Sequence, residues 1–267
     1  YRFRIILGEG ETVHAAMLYF GELLGQGLLD PLYDLIVDPL ECTGNFASGL
    51  PDSVSAVLAV PEGQAIRFPG TYMEHIIVPP AAREALYRVG LDAPVAETYR
   101  AITAALGEEQ VTVVVQNRPR HGDLIRALRE LGAGISLIES GSISAACELL
   151  YFPSRARILW GVYGAPEAVI LAHLVRSAGG GFLGRIKAHN DATEALARSW
   201  NVSGVVFRPE DIVKSDGLLS ITGVHSSTWL QGVQGVRTES LVVSGNQAYM
   251  EKRQNQETLE RFPVAPR

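Results

Sequence analysis

Apolar residues along the chain fall in short blocks whose spacing changes near residue 80. Leu35, Ile36 and Val37 run without a polar break, as a strand buried on both faces does, and Pro39 is placed to end that strand. Arg2 to Leu7 and Val54 to Val60 read as further strands, and so do Ile66 to Phe68 and Met73 to Val78, which makes 54 to 78 an expected antiparallel meander. Residues 12 to 25 suit a short helix or a turn-rich connection closed by Gly25-Gln-Gly27. Beyond Pro80 helix and strand alternate. Helices are expected over 81–89, 94–106, 122–131, 142–150 and 166–177, with strands over 111–115, 135–138 and 156–160. Such a βαβ series builds a parallel or mixed sheet. After residue 180 the pattern thins to a Gly-rich turn, a polar stretch from His189 to Arg198, and strands near 203–207, 218–222 and 237–244. The chain reads as α/β, a mixed sheet followed by a βαβ lobe, with lobes at 1–79 and 80–267.

Composition narrows the class. With 47% hydrophobic and 19% charged residues in 267, there is material for a large core and none for a long disordered tail. A net charge of −6 argues against a general nucleic-acid binder, and an anionic ligand would need local compensation from a metal or from a few Arg and Lys. Cys42 and Cys147 stand far apart, with no Cys or His neighbours, and fit neither a disulfide framework nor a zinc site; a reducing cytoplasm is expected. No apolar run has the length of a membrane span, and the N-terminus lacks a signal-peptide layout. The chain opens inside a strand without an initiating Met, so a preceding segment is expected.

Chemistry concentrates at strand ends. Asp38-Pro39-Leu40-Glu41-Cys42-Thr43 places two carboxylates and a hydroxyl in one turn, and Gly8-Glu9-Gly10-Glu11 ends the first strand with two more acids. Carboxylates crowded together repel by roughly 1 to 4 kcal/mol at about 4 Å, which a cation relieves; oxygen-only donors suit Mg²⁺ or Mn²⁺. If the two strands share a sheet, Glu9 or Glu11 can complete a site begun by Asp38 and Glu41. The plain alternatives are a common Asp-Pro turn and a solvated acidic loop. In the βαβ region three further strand ends stand out. Gln116-Asn117-Arg118-Pro119-Arg120-His121 offers two guanidiniums and an imidazole before a helix, suited to phosphate or to simple exposure. Glu139-Ser140-Gly141-Ser142 offers hydroxyls or an N-cap, and Glu167 after Pro166 is either a ligand or a first-turn acid favoured by the helix dipole. Tyr72 could stack on a ligand or pack in the sheet. His75 and His173 are expected as satisfied core or surface residues, not as catalysts.

In order along the chain, Gly8 to Glu11, Asp38 to Thr43, Thr71 to Glu74, Arg118 to His121, Ser140 to Ser142, Tyr163 to Ala168 and Lys214 to Asp216 resemble the motifs of the class II fructose-1,6-bisphosphatases. These are the GlpX-type branch of the metal-dependent, lithium-sensitive sugar and inositol phosphatases. The resemblance implies a layered αβαβα sugar-phosphatase fold, Mg²⁺ or Mn²⁺, a small-molecule sugar phosphate as substrate, and a homo-oligomer, dimer or tetramer. It places metal ligands at Glu9, Asp38, Glu41 and Glu167. Substrate contacts fall at Glu41, Cys42, Thr43, Tyr72, Arg118, Arg120, Ser140, Ser142 and Gly164, and Glu11, Thr43 and Glu41 take catalytic roles. The departures are specific: Ser140 and Ser142 stand where the family has Asp-Gly-Asp, Cys42 and Tyr163 where it has glycines, and Arg118 where it has Lys. The implied reaction is hydrolysis of fructose 1,6-bisphosphate to fructose 6-phosphate. A diverged phosphatase for another sugar or cyclitol phosphate, or a non-catalytic sugar-phosphate binder, are the alternatives.

Overall fold

The computed structural model describes residues 1–8, 18–27, 31–69, 71–152, 156–255 and 257–266. In chain order the elements are β1 (Arg2–Leu7), β2 (Leu23–Gly25), β3 (Leu32–Glu41), α1 (Thr43–Ala47), β4 (Val54–Pro61), β5 (Tyr72–Val78), α2 (Arg83–Val89), α3 (Val95–Leu106), β6 (Thr112–Gln116), α4 (Gly122–Glu130) and β7 (Gly134–Ile138). They continue as α5 (Ile143–Tyr151), β8 (Ala156–Gly164), α6 (Glu167–Ala178), β9 (Gly181–Lys187), α7 (Asp191–Ser199), β10 (Val206–Phe207), α8 (Pro209–Ile212), β11 (Leu218–Gly223), β12 (Arg237–Ser244), β13 (Gln247–Gln254) and β14 (Glu257–Val264). The described residues thus form two mixed sheets and eight helices, an α/β protein.

The chain divides into two compact units, one of Tyr1–Arg67 with Ile212–Ala265 and the other of Phe68–Asp211. The division expected at residue 79 follows the switch in periodicity, but the chain's return to β4 after residue 211 carries β11 to β14 into the first unit. That unit holds an eight-stranded sheet in the order β14-β13-β12-β11-β4-β3-β1-β2, parallel only between β1 and β3. Strict alternation along β4 buries Val54, Ala56, Leu58 and Val60 on one face, and Ile36, Leu219 and Ile221 on neighbouring strands pair with that face. The outer strand β14 is almost wholly exposed; beside it the buried Glu251 is paired with Arg253 and Arg261.

The second unit holds a six-stranded sheet, β10-β9-β5-β8-β6-β7. Here the structure differs from the expected meander: β4 and β5 lie in different sheets, and β5 runs antiparallel to both β8 and β9. Residues Ile66 to Phe68 form no strand. Ile66 N–H bonds to Ile212 O and Ala65 bridges to Val213, so this stretch pairs with the returning chain and not with its sequence neighbours. On one face of the sheet Ile76, Val78, Val113, Val115 and Leu183 pack with Leu86 of α2, Ile102 of α3 and Leu128 of α4. The other face carries Met73, Ile77, Leu159 and Phe182, against which α5 and α6 lie.

Among the elements with no signal in the periodicity are β9 and α7. Gly181 and Gly184 lower the strand propensity of β9, yet both are required by close packing, since a Cβ on Gly184 would sit 2.7 Å from Met73 Sδ and from the Phe182 ring. The polar surface helix α7 starts from a reciprocal cap between Asn190 and Thr193. Replacing Gly184 by Ala is expected to overpack this face at a cost of about 1–3 kcal/mol. A thermal melt unchanged from wild type would contradict that packing.

Candidate functional site

Contrary to the reading of Pro39 as a terminator, β3 runs on to Glu41, and its pairing with β4 slips on the way. Asp38 stands opposite Ala56, while Glu41 stands opposite Val54. Three steps along β3 match two along β4, so Pro39 and Leu40 take up an extra residue as a bulge, where a residue without an N–H is tolerated. In a regular strand residues three apart face opposite sides. With one step absorbed, Asp38 and Glu41 share the face of fully buried Val54 and Ala56. Both acids are 7% exposed, and each turns a carboxylate oxygen to within 4.8 Å of the other. Two buried oxygen donors at that separation fit a hard cation, which would offset a repulsion of roughly 1 to 4 kcal/mol. Asp34 lies on the same face farther back and is neutralised differently, by Arg4 Nη2 at 2.7 Å and the Gly63 N–H.

Beyond Glu41 the chain turns sharply. Cys42 is buried with φ of 67°, in the left-handed region that costs a residue with a Cβ roughly 1–2 kcal/mol, and Ser53 Oγ donates to its carbonyl at 3.3 Å. Thr43 then opens α1 and is exposed. Glu9 and Glu11 lie outside the described residues.

In the second unit β8 ends at Gly164, which pairs with Tyr72, and Ala165 N–H bonds to Thr71 O at 2.8 Å. Glu167 opens α6 one residue after Pro166. Its carboxylate lies directly over Gly164, where any Cβ would collide with it. Tyr72 is 37% exposed; its ring is 5.5 Å from His189 and carries the Arg120 guanidinium 4.8 Å above its centroid. Arg120 also donates to Val162 O and to Gln116 Oε1. Arg118 is half-buried, donates to Asn117 O at 3.1 Å, and lines an open groove of about 760 Å³ with Arg126 and Arg129. Ser142 is buried at the start of α5 without capping the helix through its hydroxyl, and Ser140 is half-buried on the other side of Gly141. The structure therefore groups Tyr72, Arg120, Gly164 and Glu167 around the end of β8, and Asp38 with Glu41 on β3.

His121 differs from the phosphate-facing imidazole that its motif suggests. It is buried, with Nδ1 bonded to Gln116 O and Nε2 accepting from Val162 N–H. Spacing alone could not show which way this ring turns. Burial lowers its pKa, helped by the nearby Arg120 and Arg118 charges and opposed by the bond to the Gln116 carbonyl. His75, fully buried and stacked on Tyr163 with centroids 4.8 Å apart, has its pKa pushed down to about 3 by burial, with His121 adding to the shift. Burial likewise raises the Tyr163 hydroxyl above its ordinary range.

Residues 1–256 match the model of a family described as bacterial fructose-1,6-bisphosphatase, glpX-encoded. The chain belongs to this family. It is 31% identical to the fructose-1,6-bisphosphatase 1 class 2 of Escherichia coli (strain K12), over 96% of this chain and 82% of that protein. It is 34% identical to the D-fructose 1,6-bisphosphatase class 2/sedoheptulose 1,7-bisphosphatase of Synechococcus sp. (strain JA-3-3Ab), over 91% of this chain and 78% of that protein. In this member of the glpX-encoded family the acidic pair of β3 is able to hold a metal ion. No helix among the described residues is long and apolar enough to cross a membrane.

Two outcomes follow from this geometry. Gly164→Ala is expected to leave the melting temperature nearly unchanged, because the Glu167 carboxylate is the end of a flexible chain and can swing aside. With Glu167 as a metal ligand, the role the resemblance implies, it should weaken Mn²⁺ binding about 10- to 100-fold by calorimetric titration, and unchanged affinity would speak against that role for the seated carboxylate. His75 carries a depressed pKa, so its neutral form contributes stability that is fully present above the unfolded value near 6.5 and is lost as pH falls toward about 3. In His75→Leu the drop in urea midpoint between about pH 7 and about pH 4.5 should be smaller than in wild type, and an equal drop would remove His75 from the acid response.

Proposed function

We propose that this chain hydrolyses a sugar phosphate monoester, fructose 1,6-bisphosphate to fructose 6-phosphate, with a divalent cation. The observation that carries the reading is the buried, same-face pair Asp38 and Glu41 in a family whose relatives bear that name. Asp38 and Glu41, with Glu9 and Glu167, would hold Mg²⁺ or Mn²⁺, since all four offer hard oxygen donors. When bound, the cation supplies charge for the phosphoryl oxygens and lowers the pKa of a water.

The protein's own groups position and neutralise. Thr43, exposed at the start of α1, and Glu11 would orient the attacking water or assist its deprotonation. Arg118 and Arg120 would hold the substrate's anionic end, with Arg120 already fixed in direction by Val162, Gln116 and the Tyr72 ring. Tyr72 would face the sugar ring, and the backbone of Cys42 and Gly164 would approach the substrate where a glycine or a left-handed residue allows it. Ser140 and Ser142 would supply hydroxyls. We propose a cytoplasmic homo-oligomer, dimer or tetramer, for the assembled enzyme.

The neutral turn at Ser140 and Ser142 favours one second reading, a phosphatase for another sugar or cyclitol phosphate. Inorganic phosphate release from a panel containing fructose 1,6-bisphosphate, sedoheptulose 1,7-bisphosphate and cyclitol phosphates decides between them. Metal-dependent turnover of the first supports the main reading, turnover of the others alone supports the second, and no release from any of them defeats both. Glu41→Gln should cut the metal-dependent rate about a hundredfold or more with little change in thermal stability, and retained activity would end the assignment of Glu41.

A further inference from the structure

The backbone register between β6 and β8 stops at Val114 opposite Leu159. Past that point two adjacent side chains span the gap. His121 bonds through Nδ1 to the carbonyl of Gln116, the last residue of β6, at 2.7 Å, and its Nε2 receives the Val162 N–H of β8 at 2.8 Å. Arg120 donates to the Val162 carbonyl from Nε at 3.1 Å and Nη2 at 2.8 Å, and Nη2 reaches Gln116 Oε1 at 2.7 Å. Both backbone groups of Val162 are thus held by one dipeptide.

We infer that His121 is a positioning residue, whose imidazole takes the place of a sheet rung to fix the end of β8 and, through it, Gly164 and the carboxylate of Glu167. This rests on the reading of Glu167 as a metal ligand given above. The tautomer is dictated by the partners. Gln116 O can only accept, so Nδ1 carries the proton; Val162 N–H can only donate, so Nε2 must keep its lone pair. A second proton would set one N–H against another. The surroundings favour the neutral ring: Arg118 and Arg120 lie nearby, His75 of β5 and Tyr163 of β8 are the titratable groups packed close to it, and burial lowers the imidazole pKa. Room for the ring is provided by Gly161, where a Cβ would stand 3.0 Å from His121 Nε2.

The held residue is two positions before Gly164, on which the Glu167 carboxylate is seated. Loosening Val162 should therefore displace that carboxylate while the apolar packing of the unit stays in place. The test compares wild type, His121→Leu, which fills space with neither hydrogen bond, and His121→Gln, whose amide can donate and accept. Amide exchange at Val162 and Mn²⁺ affinity are measured on each, with Glu167→Gln in parallel. In His121→Leu exchange at Val162 should quicken about tenfold or more and Mn²⁺ affinity should fall about tenfold or more, both partly restored in His121→Gln. Undiminished protection of the Val162 amide in His121→Leu would overturn the inference, as would a loosened amide with unchanged Mn²⁺ affinity. If wild type and Glu167→Gln bind Mn²⁺ alike, the ligand role of Glu167 fails and with it the link to the metal, whereas exchange at Val162 still judges the rung. The ¹⁵N resonances of the wild-type imidazole give a reading that needs no variant to fold: a proton on Nε2 at neutral pH would overturn the assignment.

Discussion

Two carboxylates three residues apart on a strand belong on opposite faces, and the bulge at Pro39 is the constraint that brings Asp38 and Glu41 to one. Burying like charges side by side costs free energy, so the arrangement has to be enforced by the backbone. The enforcement is a matter of counting. Val54 and Ala56 fix the inner face of β4, the pairing fixes which β3 residues meet them, and proline removes a donor where the ladder skips. The same face gives Asp34 the more usual solution, an arginine and a backbone N–H. One strand thus carries a carboxylate neutralised by the protein and a pair suited to a cation supplied from outside.

In the second unit, missing side chains govern the chemistry as much as present ones. Gly161 leaves room for the His121 ring and Tyr163, Gly164 seats the Glu167 carboxylate, and Gly184 admits Met73 and Phe182. Tyr163, which stands where the resembling family has a glycine, does not open toward solvent; it lies 3% exposed between His75 and His121. Its ring fills the core under the end of β8, while Tyr72 and Arg120 lie at the surface.

Much of this was legible in the order of the residues. The alternation of β4, the helical periods from 83 onward and the acids around Asp-Pro all announce themselves, because period and turn chemistry are local properties. What was not legible depends on partners distant in sequence. Val54 to Val60 and Met73 to Val78 look like neighbours in one sheet, but residues 65 and 66 bond to 213 and 212 and the strands part. β9 was hidden by glycines whose purpose appears only against Val78 and Arg83 at Gly181 and against Met73 at Gly184. The acids at 38 and 41 could be named as a pair, but the sharing of a face rests on a register slip that no local rule dictates. His121 was visible as part of a basic motif, while its inward turn follows from Val162, a residue forty-one positions away.

The long sheet of the first unit ends at β14, whose side chains include Glu257, Glu260 and Arg261, with Pro263 opposite Tyr249. An outermost strand offers unpaired backbone groups to any passing chain, and a flat apolar one would recruit others into aggregates. Charges that must stay hydrated, together with a proline that has no N–H to offer, make β14 a poor template for a ninth strand. A sheet of this width can therefore finish in an exposed strand whose own residues discourage the addition of another.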